Sequence, residues 1–165
     1  MLTPDRIKEL FDYNPATGDL IWKVRRRGRF ARPGVVAGCK SNYIVIAIDC
    51  RRYTAHRVIW MLHYGEFPTE IDHINQNKWD NRIENLRLCS RSENTGNVGL
   101  RSTNTSGFRG VWFVEHCQKW RACIKENGKS RHLGYFNTAE EASIAYNIAA
   151  VEHFREFACL NKTSN

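Results

Sequence analysis

Asp72 and His73 stand side by side between Ile71 and Ile74, ahead of a polar turn over residues 75–81. A carboxylate is a hard oxygen donor suited to a divalent cation, and a neutral imidazole can take a proton from water near neutral pH. Two asparagines follow the His at spacings of 12 and 21 residues, Asn85 and Asn94. The apolar flanks and the turn predict a short two-stranded ribbon presenting the Asp-His pair at a strand end. Ser90 and Glu93 have the spacing of a capping box, which predicts a helix from about Arg91. Asn94 then falls in its first turn, within reach in principle of an ion held by Asp72. His56, ahead of the apolar run Val58 to Leu62, reads as a hydrogen-bonded core residue or a neighbour of the reacting groups ahead of a direct catalytic part. Glu66, Glu70, Asp80 and Glu84 read as solvated loop charges.

The charge balance narrows the partner. Twenty-five basic against 17 acidic residues leave a net charge of +8 on 165 residues, which points to a polyanion. A membrane surface would require a long apolar span or a basic amphipathic helix, and neither pattern is present, so nucleic acid is favoured. The opening MLTPDRIKEL lacks the apolar stretch of a secretion signal, and a cytoplasmic protein is expected. Six cysteines occur without a C-x-x-C pair. They read as free thiols acting as small buried apolar residues, not as a zinc or redox site.

The elements around this centre fall into three segments. Residues 1–52 read as a β-rich opening module: a short helix from Thr3 to Phe11 with Pro4 at its first position, a break over Asn14 to Gly18, then hairpins built from LIWKV and YIVIAI. Its run of Lys23, Arg25, Arg26, Arg27, Arg29 and Arg32 has no acidic residue nearby in sequence and reads as a phosphate-binding stretch. Residues 53–100 hold the chemistry, and the small polar residues 101–106 read as a linker. Residues 107–162 read as three strands and a helix. Phe108 to Val114 is the first strand, and Trp120, Ala122 and Ile124 alternate with Arg121, Cys123 and Lys125 on the second. Asn127-Gly128 makes the turn to a third, His132 to Phe136, and a capping box at Thr138 and Glu141 opens a helix through about His153.

The middle segment resembles the HNH endonucleases, most of all their phage and homing branch, through Asp72-His73, Asn85, Asn94, His56-Arg57 and the Asp-Asn-Arg and Asn-Leu-Arg elements. The resemblance implies a ββα-metal (His-Me finger) core in which Asp72 and Asn94 bind one Mg²⁺ or Mn²⁺ ion, His73 is the general base, and Asn85 supports the ribbon and its loop. Residues 107–162 resemble the AP2/ERF DNA-binding domain in F-R-G-V, K-W-x-A-x-I, L-G-x-F and A-Y-N-x-A-A. That resemblance implies a sheet laid in the major groove, with Arg109, Trp112, Arg121, Lys125 and His132 as candidate contacts. Trp120 reads as sheet-to-helix core instead.

The expectation is therefore an α+β chain acting as a monomer on double-stranded DNA: a phage-type homing endonuclease. The competing readings are a non-catalytic DNA-binding regulator on a degenerate nuclease fold and a structure-selective repair or packaging nuclease.

Overall fold

Thr3 and Pro4 start a helix as their types require. In a computed structural model, which describes residues 2–27, 31–100 and 102–162, α1 spans Pro4–Leu10 and the Thr3 hydroxyl accepts from the Arg6 N–H at 3.3 Å. The chain passes straight into β1 (Phe11–Asn14), paired antiparallel with β2 (Asp19–Trp22). The break expected over Asn14 to Gly18 is the turn of this hairpin. Strand β1 itself has no β-branched residue and is defined by its pairing with β2.

β3 (Cys39–Lys40), β4 (Ile44–Ile48) and β5 (Arg51–Thr54) form a three-stranded antiparallel sheet in that order. Helix α2 (Ala55–Tyr64) follows, ending at Gly65 in the left-handed conformation that closes helices. Next comes a two-stranded antiparallel ribbon, β6 (Ile71–His73) with β7 (Leu86–Leu88), in which Asp72 faces Arg87 and His73 faces Leu86. Helix α3 (Arg91–Gly96) begins at the expected capping box, with both reciprocal bonds between Ser90 and Glu93 formed.

The chain divides into two compact units that part between Cys89 and Ser90. In the first, one apolar core runs from Leu2 through α1, the two small sheets and α2 to Ile71 and Leu86 on the ribbon. Residues 1–52 thus share a core with the front of the chemical segment instead of forming a module of their own. Ile7, Val58 and Ile59 are fully buried, each contributing about 1.5–3 kcal/mol on burial.

The second unit contains β8 (Val111–Val114), β9 (Lys119–Glu126), β10 (Lys129–Phe136) and α4 (Ala139–Phe154), with the sheet in the order β10-β9-β8. Asn127 and Gly128 both take positive φ in the tight turn between β9 and β10. Helix α4 starts at the expected Thr138–Glu141 capping box. Ala139 and Ala142 lie against Val111 and Ala122, with Trp120 packed on the same core. Residues 102–106, read from sequence as a linker, are folded onto this unit: the Asn104 amide donates to the Phe108 carbonyl and the Ser106 hydroxyl to that of Val111. Short α3 also belongs here. Gly96 lies against the Phe154 ring, and the Arg109 guanidinium donates to the carbonyls of Thr95 and Gly96 at 2.6 and 2.5 Å. The expectation for the cysteines needs one correction. None of the six is joined in a disulfide, but only Cys123 is buried, and Cys39 and Cys50 are exposed. Among the described residues no helix is long and apolar enough to cross a membrane.

Candidate active site

The β6–β7 ribbon buries both chemical groups at its end: Asp72 and His73 are each 5% exposed. The cross-strand partner of Asp72 explains how a carboxylate is tolerated there, since the Arg87 Nε and Nη2 both donate to its Oδ2, at 2.9 and 2.8 Å. His73 Nε2 lies 3.0 Å from the Asn81 side-chain oxygen, in a bond shielded from solvent. Burial pulls the His73 pKa below its ordinary value, while the bond to Asn81 and the charge of Asp72 act the other way.

Asn85 ties the ribbon loop to itself. Its amide donates to the Asp80 carbonyl at 2.7 Å and to Asn75 Oδ1 at 3.0 Å, and its Oδ1 accepts from the Asn75 N–H at 3.0 Å. Asp80 is not the solvated loop charge expected from sequence. It takes Asn75 Nδ2 at 2.7 Å and Arg82 Nη2 at 2.8 Å, and Arg82 holds its carboxyl well down, to about 2. The loop is also docked from outside: Trp79 Nε1 donates to the Ser41 carbonyl and Lys78 to the Asn42 side chain, both at 3.1 Å. Lys78 lies 5.0 Å over the Tyr43 ring, and Lys40 5.5 Å over Trp79.

His56, at the start of α2, sets its ring edge-on to that of His73, with centroids 5.1 Å apart. Tyr43 stands 5.1 Å from His56 and 6.2 Å from His73. His56 Nε2 meets Thr54 Oγ1 at 3.3 Å, whereas its buried Nδ1 has no hydrogen-bond partner. Burial, then the nearby His73 and Arg57, push the His56 pKa down to about 3. The sign of the resulting pH dependence is fixed. Above the unfolded value of 6.5 the ring is neutral in both states; as pH falls from there toward 3 the unfolded chain takes up a proton that the native ring refuses, and stability declines. Urea titrations across that window should show a shallower decline for His56→Gln than for the parent, and parallel curves would mean His56 ionises freely when folded.

Two supports of the site went unread in the sequence. Tyr13, on β1, accepts from the Ile83 N–H at 2.9 Å and donates to the Asn81 carbonyl at 3.4 Å. Gly18, in the turn after it, has φ +77°, and a Cβ there would overlap the backbone of Asn81 and Arg82. Neither bears a local signal, because both act on a loop more than sixty residues further along the chain. Asn81 was legible only as part of the Asp-Asn-Arg element, with no role attached.

The remaining expected residues separate by position. Asn94 lies on α3 in the second unit, its backbone N–H on the Ser90 carbonyl at 3.0 Å. In the basic run, Arg25 and Arg27 are exposed. Arg26 is instead paired with Asp49 at 2.8 Å, a carboxylate it shares with Arg6; distance along the chain hid this partner. Arg29 lies outside the described residues. On the C-terminal sheet Trp112, Arg121 and Tyr135 form one row across the three strands, with the Arg121 guanidinium 5.4 Å from the Trp112 ring and 5.9 Å from that of Tyr135. Cys123 faces His132 in the next row, and Lys125 is exposed beyond them. Arg109 differs from these: its guanidinium holds the end of α3 and lies 5.8 Å from the Tyr146 ring, so it is engaged within the unit.

The braced ribbon with its buried Asp-His end falls within a recognisable stretch. Residues 53–95 match the HNH endonuclease family. Around this HNH segment the chain is 35% identical over 126 residues to an uncharacterised HNH endonuclease of Acanthamoeba polyphaga mimivirus, covering 74% of this chain and 64% of that protein. It is 32% identical over 80 residues to Protein 3.8 of Escherichia phage T7, covering 47% of this chain and 66% of that protein. The chain thus spans just under two thirds of the length of these two relatives. An AP2-like ethylene-responsive transcription factor of Arabidopsis thaliana is 33% identical over 81 residues, which cover 46% of this chain and 24% of that protein. No solved structure gives a significant match.

Proposed function

We propose that the chain is a metal-dependent DNA endonuclease of the phage homing type, built on a ββα-metal core. The observation that carries this reading is the pair Asp72 and His73, buried at the end of a ribbon inside the HNH segment, its imidazole fixed by Asn81 and its carboxylate by Arg87. His73, held neutral by burial, takes a proton from the water that attacks phosphorus. The 3′ oxygen departs and is protonated by solvent, leaving 5′-phosphate and 3′-hydroxyl ends.

By the chemistry of their side chains the two proposed ligands suit a hard divalent ion: Asp72 would offer a carboxylate and Asn94 an amide oxygen. So sparse an oxygen set suits Mg²⁺ or Mn²⁺, which keep waters and accept substrate phosphate oxygens. When bound, such an ion supplies positive charge to the oxygen that leaves.

The sheet of the second unit supplies the DNA reader in this reading, an AP2/ERF-like module with Trp112, Arg121, Lys125 and His132 on its open face. The exposed Arg25 and Arg27 of the first unit add phosphate contacts. Replacing Arg121 by Ala should weaken duplex binding and lower the slope of log affinity against log salt by about 1; an unchanged slope would move the phosphate contact elsewhere. A binding-only regulator is the second reading, favoured by the AP2-like transcription factor among the relatives. Supercoiled plasmid incubated with the protein and Mg²⁺ separates the two. Nicked or linear product that disappears with chelator is expected, and tight binding with no product would establish the regulator.

A further inference from the structure

We propose that Asn81 dictates which ring nitrogen of His73 carries the proton, and that the N-terminal hairpin holds Asn81 in place to do so. The proposal rests on the reading of His73 as the base. A neutral imidazole has one N–H, and an amide oxygen can only accept. With Asn81 Oδ1 3.0 Å from His73 Nε2, the proton must sit on Nε2, which leaves Nδ1 as the nitrogen able to receive one from water.

Three features make this a positioning contact and not an incidental one. Both partners are buried, Asn81 to 1% exposure, so no water competes for the bond. Asn81 Nδ2 is buried with no hydrogen-bond partner. An unpaired amide donor destabilises the fold, so an apolar side chain would serve better if the position only filled space. Its oxygen is the part of the side chain with a task. Finally, the Asn81 backbone is gripped from a part of the chain outside the HNH match: the Tyr13 hydroxyl bonds to the Asn81 carbonyl and the Ile83 N–H, and the Gly18 turn lies directly against residues 81 and 82. His56 meets the His73 ring edge-on, and turning that ring over to exchange its nitrogens would break the bond to Asn81.

The test uses the full chain labelled with ¹⁵N, with imidazole nitrogen shifts read above the imidazole titration range and His73 assigned by its loss in His73→Gln. The parent should show the Nε2–H form. Asn81→Leu, which removes the acceptor, should give a mixture of the two forms and a kcat for plasmid cutting lower by about 10- to 100-fold with KM little changed. Asn81→Asp, which keeps an acceptor oxygen, should hold the Nε2–H form. An Nδ1–H form in the parent overturns the proposal without any variant having to fold, as does a folded Asn81→Leu protein with unaltered nitrogen shifts. The nitrogen shifts do not depend on catalysis. A parent that cuts no DNA yet shows Nε2–H would therefore sink the nuclease reading while leaving the proton placement intact.

Discussion

His73→Ala is expected to lower the rate of plasmid nicking by about 10²- to 10⁴-fold, the range a positioned general base contributes. Binding should change little, because the imidazole is buried at the ribbon end and does not form part of the open sheet face or the exposed arginines. The loss should therefore appear in kcat, with gel-shift affinity for the same plasmid fragment preserved. With His73 as the proposed base, the parent would lower the attacking water's barrier by accepting its proton, and Ala would leave that proton to bulk water. Removing the ring also leaves Asn81 Oδ1 without its partner and opens a space beside His56, so folding must be checked by the urea midpoint at the same pH. Equal nicking by a folded His73→Ala protein would dismiss His73 as the base.

Gly18→Ala should destabilise the first unit by about 2 to 5 kcal/mol. Two penalties combine there. A left-handed residue with a Cβ costs about 1–2 kcal/mol, and Gly18 has φ +77°. Forcing extra atoms into a packed contact costs roughly 1–3 kcal/mol, and the added Cβ would meet the Asn81 carbonyl carbon and the Arg82 nitrogen, backbone atoms that cannot swing aside. The urea midpoint should fall with an unchanged m-value. The hairpin and the loop over residues 81–83 are joined through Tyr13 as well, so the damage should reach the site: cutting should drop even at urea-free concentrations where the protein is folded. A loss of stability below 0.5 kcal/mol, the ordinary range for surface changes, would mean the turn and the loop do not touch in solution.

Elements with a local chemical signature were readable in advance. Thr3 with Pro4, Ser90 with Glu93, and Thr138 with Glu141 each carry their capping partners within three residues, and Asn127-Gly128 needs no outside help to turn. The same holds for the alternation of Trp120, Ala122 and Ile124 against Arg121, Cys123 and Lys125, which put the apolar side on the helix and the basic side outward. Strand β1 and helix α2 were less legible because their patterns are short or apolar on several sides, and packing decides them.

The types and spacing of Asp72, His73, Asn85 and Asn94 were legible in the sequence, and the resemblance to the HNH endonucleases attached an expected chemistry to them, because each side chain's donor or acceptor character belongs to the residue wherever it lies. What holds those groups depended on folding. Arg87 reaches Asp72 only once the ribbon pairs, Asp49 draws Arg26 out of an apparently unopposed basic run, and Tyr13 with Gly18 braces a loop that follows some sixty residues later. A charge or hydrogen bond acts over a few ångströms of space whatever the distance along the chain, so such partners are visible only after the core from Leu2 to Leu86 has brought them together.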